Sequence, residues 1–166
     1  SNDIISGTLT GSKTVKIYGT GITTLACYLD IYYRYEFRTT DSLTSLDVSN
    51  CTTLKSLDCS GSQLTTLDLS KNSLLNNLAC KSNKLPNLNV SYQVSLKRLE
   101  CSSNKLATLD VSKNTFLGEL RCSSNNLTTL DVSKNTALGW LDCPFNNLTT
   151  LDVSKNNVLG WLICSA

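Results

Sequence analysis

Eight cysteines stand in a chain of 166 residues that contains no histidine. Six of them, Cys59, Cys80, Cys101, Cys122, Cys143 and Cys164, recur every 21 residues. Thiols at such density could form disulfides, bind zinc or act as nucleophiles. None of these chemistries suits the spacing. Residues one period apart in stacked strands project side by side rather than toward each other, which is the wrong geometry for a disulfide. Zinc needs a tetrahedral cluster, and a one-dimensional row of thiols without histidine does not supply one. Nucleophilic thiols need a base beside them, and the usual base is missing. A buried cysteine behaves as a small apolar residue, and the row is read as core. Free thiols outside a cell would suit an anaerobic or reducing setting.

A second periodic set is acidic: Asp47, Asp68, Asp110, Asp131 and Asp152, with Asn89 interrupting. Stacked carboxylates could hold calcium. The glycine- and aspartate-rich turns of calcium-binding solenoids are absent, however, and Lys71, Lys113, Lys134 and Lys155 follow three residues on. Neutralisation on the protein surface is expected, without a metal or other cofactor. Acid residues this alike do not make an acid–base pair with separated pKa values. No catalytic residues are assigned, and the chain is not expected to be an enzyme.

Both sets belong to one 21-residue unit, L-x-x-L-D-V-S-K-N-x-x-L-x-x-L-x-C-S-x-N-x, which begins at Leu43, Leu64, Leu85, Leu106, Leu127 and Leu148. A fixed period of this size specifies a solenoid, in which successive coils bury one another's apolar face. Each unit has two similar halves, as in Leu106–Asn114 and Leu117–Asn125. Leu-x-Val and Leu-x-Cys alternate apolar and polar residues, the period of a half-buried strand. Inward rows are expected through Leu46, Leu67, Leu88, Leu109, Leu130 and Leu151, and through Leu57, Leu78, Leu99, Leu120, Leu141 and Leu162. Asparagines at the inward turns, such as Asn83, Asn104, Asn125 and Asn146 or Asn72, Asn114, Asn135 and Asn156, can satisfy backbone groups that lose their sheet partners. Cys51, Ser62 and Gln93 depart from that rule, and their coils are expected to be the least regular.

This pattern resembles the leucine-rich repeat family, in a bacterial 21-residue variety with L-x-x-L-x-C and L-x-x-L-D-V-S halves. The resemblance covers Leu43 to Ala166 and, more loosely, Ile22 to Cys27. It implies a mainly β, right-handed solenoid with short parallel strands on two sides and few or no helices. It also implies an extracellular or bacterial cell-surface location and the binding of other macromolecules.

The expected organisation is an N-terminal cap over residues 1–42 and six repeats over residues 43–166, the last one truncated. Counting back one period from Leu43 reaches Ile22, so the cap is expected to contain a degenerate repeat in that phase. Tyr28–Arg38 alternates aromatic and charged residues and reads as a strand within the lid. At the other end Leu148, Leu151, Val153, Leu159, Leu162 and Cys164 would lie half uncovered, so further repeats or a second chain are expected there.

Net charge is +2, with no basic run, so nucleic acid is not an expected partner. No apolar stretch is long enough to span a membrane. Function must therefore lie where the repeat varies. Outward positions of the Asp-bearing half are monotonous. Those around the Cys-bearing half change from coil to coil: Lys55 and Asp58, then Arg98 and Glu100, then Glu119 and Arg121, then Trp140, Asp142 and Phe145, then Trp161 and Ile163. Variation on a fixed scaffold suits recognition, with a protein the expected partner. A glycan platform at Trp140 and Trp161 is one alternative, and a passive surface spacer is another. Trp140, Trp161, Phe145 and Ile163 would also suit burial beneath a following segment.

Overall fold

The computed structural model describes residues 14–16, 24–26 and 43–165. It is a solenoid of parallel strands, and the described residues contain no helix. Seven strands form the main sheet: β2 (Thr24–Ala26), β4 (Ser56–Asp58), β5 (Asn77–Ala79), β6 (Arg98–Glu100), β7 (Glu119–Arg121), β8 (Trp140–Asp142) and β9 (Trp161–Ile163). A two-stranded sheet pairs β1 (Thr14–Lys16) with β3 (Ser45–Asp47). In the main sheet from β4 onward the register advances by one repeat, so Leu57, Leu78, Leu99, Leu120, Leu141 and Leu162 stack directly. All of these except Leu162 are fully buried, together with Cys59, Cys80, Cys101, Cys122 and Cys143.

Strands on both sides were expected, and the second side is less regular than the first. Beyond β3, the Asp-bearing halves form no strand. The reason lies in where their N–H groups go. In the fourth repeat Ser112 N–H binds the Asp110 carboxylate (2.8 Å), Asn114 N–H returns to Val111 O (3.0 Å), and Leu117 N–H binds Asn114 O (3.0 Å). Turns within the coil thus consume donors that a strand would offer its neighbour. On the Cys side the donors cross between coils, as in Cys101 N–H to Arg121 O and Ser103 N–H to Ser123 O, both at 2.8 Å.

Asparagine amides lace the coils together. Asn125 Nδ2 donates to the carbonyls of Cys101 and Cys122, both at 3.1 Å, while its Oδ1 accepts Leu106 N–H at 3.0 Å. Asn104 and Asn146 repeat the pattern, so Cys101 and Cys122 each accept from two amides. On the opposite side Asn135 donates to Val111 O (3.0 Å) and Asn114 O (2.8 Å). Gln93 was expected to disturb its coil and does not. Its longer side chain donates to Leu69 O and Asn72 O at 2.8 and 3.2 Å, the same two positions an asparagine serves. The coil at Ser62 does differ, since the neighbouring Ser60 hydroxyl is buried without a hydrogen-bond partner.

The phase expected for the N-terminal repeat is corrected. In the backbone register Leu25 pairs with Leu57 of the Cys side, 32 residues away, and Val15 pairs with Leu46. Thr24-Leu25-Ala26 is therefore aligned with Ser56-Leu57-Asp58, and the spacing between them is longer than one period. The lid strand expected over Tyr28–Arg38 and most of the proposed cap lie outside the described residues. At the other end Leu162 is 41% exposed, and Leu148, Leu151, Val153 and Leu159 are less covered than their equivalents.

Candidate functional site

The thiol row from Cys59 to Cys143 is buried core, while Cys164, expected in the same row, is exposed. Burial pushes the Cys80 and Cys101 thiols well above their ordinary range, and the neighbouring thiol adds to the shift. Cys143 is pushed up to about 11 by burial, then by Cys164 and Asp142. Cys164 is exposed. At pH 8, iodoacetamide labelling read by peptide mass spectrometry should modify Cys164 at least about 100-fold faster than Cys80, Cys101 or Cys122. Comparable rates in the native protein would refute the sealed-row description.

The acidic ladder is a set of turn caps. Asp68, Asp110, Asp131 and Asp152 each accept the N–H of the serine two residues on, at 2.8–2.9 Å. That bond, followed by the serine hydroxyl, holds each carboxyl below its usual range. The lysine three residues on contributes less. The expected neutralisation by lysine is thus secondary to the backbone. Shallow depressions lie between these rungs, bordered by Thr108, Asp110 and Asp131, and they are too open to surround a small molecule. A lowered carboxyl pKa means that the caps are complete above about pH 4 and weaken as pH falls through the lowered values. Asn89 makes the same bond to Ser91 N–H at 3.0 Å without a titrating group. Replacing all four aspartates by asparagine should therefore flatten the fall in melting temperature between pH 5 and pH 2. An unchanged acid slope would show that the caps do not carry it.

The outward face of the main sheet is where distinct side chains meet. Glu100 receives Lys81 (3.2 Å) and Arg98 (3.4 Å). Glu119 receives Arg98 from the preceding coil (3.5 Å) and Arg121 from its own strand (2.7 Å). The Arg121 guanidinium lies 5.0 Å from the Trp140 ring centroid, and Trp140 stacks on Trp161 with centroids 4.9 Å apart and planes 10° apart. Charge and aromatic surface thus run as one connected row from β6 to β9. Partly exposed pairs of this kind contribute about 0–1 kcal/mol each, so their value is in positioning rather than stability.

The sequence-predicted residues divide on this face. Arg98, Glu100, Glu119, Arg121, Trp140 and Trp161 are brought together. Asp142 and Ile163 lie in the adjacent column of β8 and β9. Lys55 and Asp58 stand apart, two coils from Arg98, and the Asp58 carboxylate caps Ser60 N–H at 3.0 Å. Phe145 is 68% exposed in a left-handed turn (φ 54°), a position held elsewhere by Gly61, Ser82, Ser103 and Ser124. That conformation costs a bulky residue about 1–2 kcal/mol, and no packing offsets it. Lys81 was missed in the sequence, although it lies one residue beyond Cys80 and one coil before Glu100, the carboxylate it meets. Also missed were Gly118, Gly139 and Gly160, which form a row directly before Glu119, Trp140 and Trp161.

No family model matches the chain, and no curated protein matches it. Solved structures do. The functional domain of InlJ from Listeria monocytogenes, described as including a cysteine ladder, is 35% identical over 88% of this chain, with a TM-score of 0.63. A leucine-rich repeat protein of Leptospira interrogans superimposes with a TM-score of 0.73 at 22% identity over 87% of this chain. An internalin C2 from Listeria monocytogenes gives 0.62 at 18% identity, also over 87%. This chain spans 35% of the InlJ chain and 37% of the Leptospira chain. With its coils of about 21 residues and its parallel strands, the chain is a leucine-rich repeat solenoid whose structural neighbours are bacterial leucine-rich repeat proteins.

Proposed function

We propose that the chain is a non-catalytic recognition module that binds a protein partner through the outward face of strands β6 to β9, at a bacterial surface or outside the cell. One observation supports this most: the unbroken row from Glu100 and Arg98 through Glu119 and Arg121 to Trp140 and Trp161. Aromatic residues and arginines with partial burial are the types that anchor protein interfaces. Pairing within the row fixes the arginines in place before binding, which reduces the entropy lost on association.

The glycan alternative fits the ring geometry less well. A sugar platform needs exposed ring faces, yet Arg121 covers one face of Trp140 and Trp161 the other. Trp161, 53% exposed, retains one open face among the described residues.

Capture from bacterial and host-cell surface extracts tests the reading, using the parent chain, an Arg98→Ala, Arg121→Ala variant and a Trp140→Ala, Trp161→Ala variant. Each double variant should lose at least about 30-fold in affinity for a captured protein, as anchor residues do. A ligand bound equally by all three chains would place recognition elsewhere, and failure of all three would leave the spacer role.

A further inference from the structure

We propose that the flank of the rod at the second to fourth repeats is a contact surface for an anionic lipid bilayer, against which the rod lies without crossing it. This surface is separate from the outward face of β6 to β9 and does not rest on the recognition reading above.

The third repeat departs from its neighbours on this flank. The second and fourth repeats read Lys71-Asn72-Ser73-Leu74 and Lys113-Asn114-Thr115-Phe116, whereas the third reads Tyr92-Gln93-Val94-Ser95. The backbone is the same in all three. The N–H of Asn72, Gln93 or Asn114 returns to the carbonyl three residues back at 2.9–3.1 Å, and its own carbonyl accepts the leucine N–H three residues on at 2.9–3.2 Å. The turn therefore does not demand Tyr92 or Val94.

Three successive coils thus present four large apolar side chains to solvent: Leu74, Tyr92, Val94 and Phe116, each 50–64% exposed. Leu74 and Phe116 hold the same position two coils apart, about 10 Å, and Val94 lies beside that position in the coil between. A constant register keeps equivalent side chains in line, so a plane meets them together.

The charge around the patch has one sign. Lys71 and Lys113 precede it along their coils, and Lys55 and Lys97 hold the row that follows it. All four are exposed, and none forms an ion pair among the described residues. Acids are withdrawn from the same region. Asn89 replaces the aspartate of the other repeats, and residues 69–99 contain five cations and no Asp or Glu. Asp68 and Asp110, three residues before Lys71 and Lys113, are committed to the N–H groups of Ser70 and Ser112. Glu119, three residues after Phe116, is held by Arg98 and Arg121.

Anionic headgroups above an acyl layer complement both features at once. Lysine stems can lie along the apolar side chains while their ammonium groups reach phosphates, and the aromatic and aliphatic side chains settle at the headgroup boundary. A soluble polyanion would use the lysines and leave the apolar residues in water.

Vesicle co-flotation of the full chain tests the proposal. The chain should float with equimolar phosphatidylcholine and phosphatidylglycerol vesicles, and at least about tenfold less with pure phosphatidylcholine. Tyr92→Lys, Val94→Thr, which copies the fourth repeat, should keep the parent melting temperature and weaken binding about tenfold or more, although it adds a positive charge. Phe116→Ala, which copies Ala137, should weaken binding in the same direction. Lys55→Asn, Lys97→Asn, which copies Asn76, should weaken it about tenfold through charge. Trp140→Ala, Trp161→Ala should float like the parent. Failure to float with the anionic vesicles overturns the proposal. So does equal or tighter binding by Tyr92→Lys, Val94→Thr, which would leave a polyanion site. Loss of flotation in the tryptophan variant overturns it too, by moving the contact to the outward face of β8 and β9.

Discussion

Asn125→Ala is expected to lower the unfolding free energy by about 2–4 kcal/mol, far more than a polar substitution normally costs. Asn125 is buried and its side chain joins two coils. Truncation leaves Leu106 N–H without its acceptor in the interior and takes one donor from each of the Cys101 and Cys122 carbonyls. Those carbonyls retain Asn104 and Asn146, so the orphaned N–H dominates the cost. Asn125→Asp keeps the acceptor but buries a charge and loses both donors, and should be at least as damaging. Asn126→Ala, one residue on and exposed, should stay within about 0.5 kcal/mol of the parent. Chemical denaturation of the three variants is the test. A loss below about 1 kcal/mol for Asn125→Ala would show that the amide rows do not hold the coils together.

The second large effect belongs to the leucine row and depends on position along the rod. Leu99→Ala should cost about 2–5 kcal/mol, because the side chain is fully buried between identical neighbours and the cavity cannot collapse. Leu162→Ala makes the same chemical change where the side chain is already 41% exposed, and should cost less than half as much. Equal losses would mean that β9 is covered in solution by something the described residues do not include.

The period alone was enough to identify the leucine, cysteine and asparagine rows, since each needs only that residues 21 apart coincide in space. The roles of side chains that act within a coil were harder to read. Asp110 looks in sequence like one rung of a charged ladder. Its carboxylate instead serves a serine N–H two residues away, a local bond that periodicity does not express. The same turn keeps the Asp side from forming regular strands. The N-terminal phase was misassigned because it assumed a constant period across a connection of a different length. On the varied face, the cross-coil pair of Arg98 with Glu119 was implicit in the register.

The hydrogen bonds that join the coils run along the rod axis, and the coils from the second repeat onward are held by nearly the same set. Tension applied to the two ends of such a rod passes through every interface in series, but only the outermost coil is pulled at a chain end with no further coil packed outside it. The outermost coil peels first, and each peeled coil releases about 7 nm of contour. Its neighbour then meets the same load. Pulled in this way, the molecule lengthens at nearly constant force, in steps set by its repeat, while the coils not yet peeled keep their face intact.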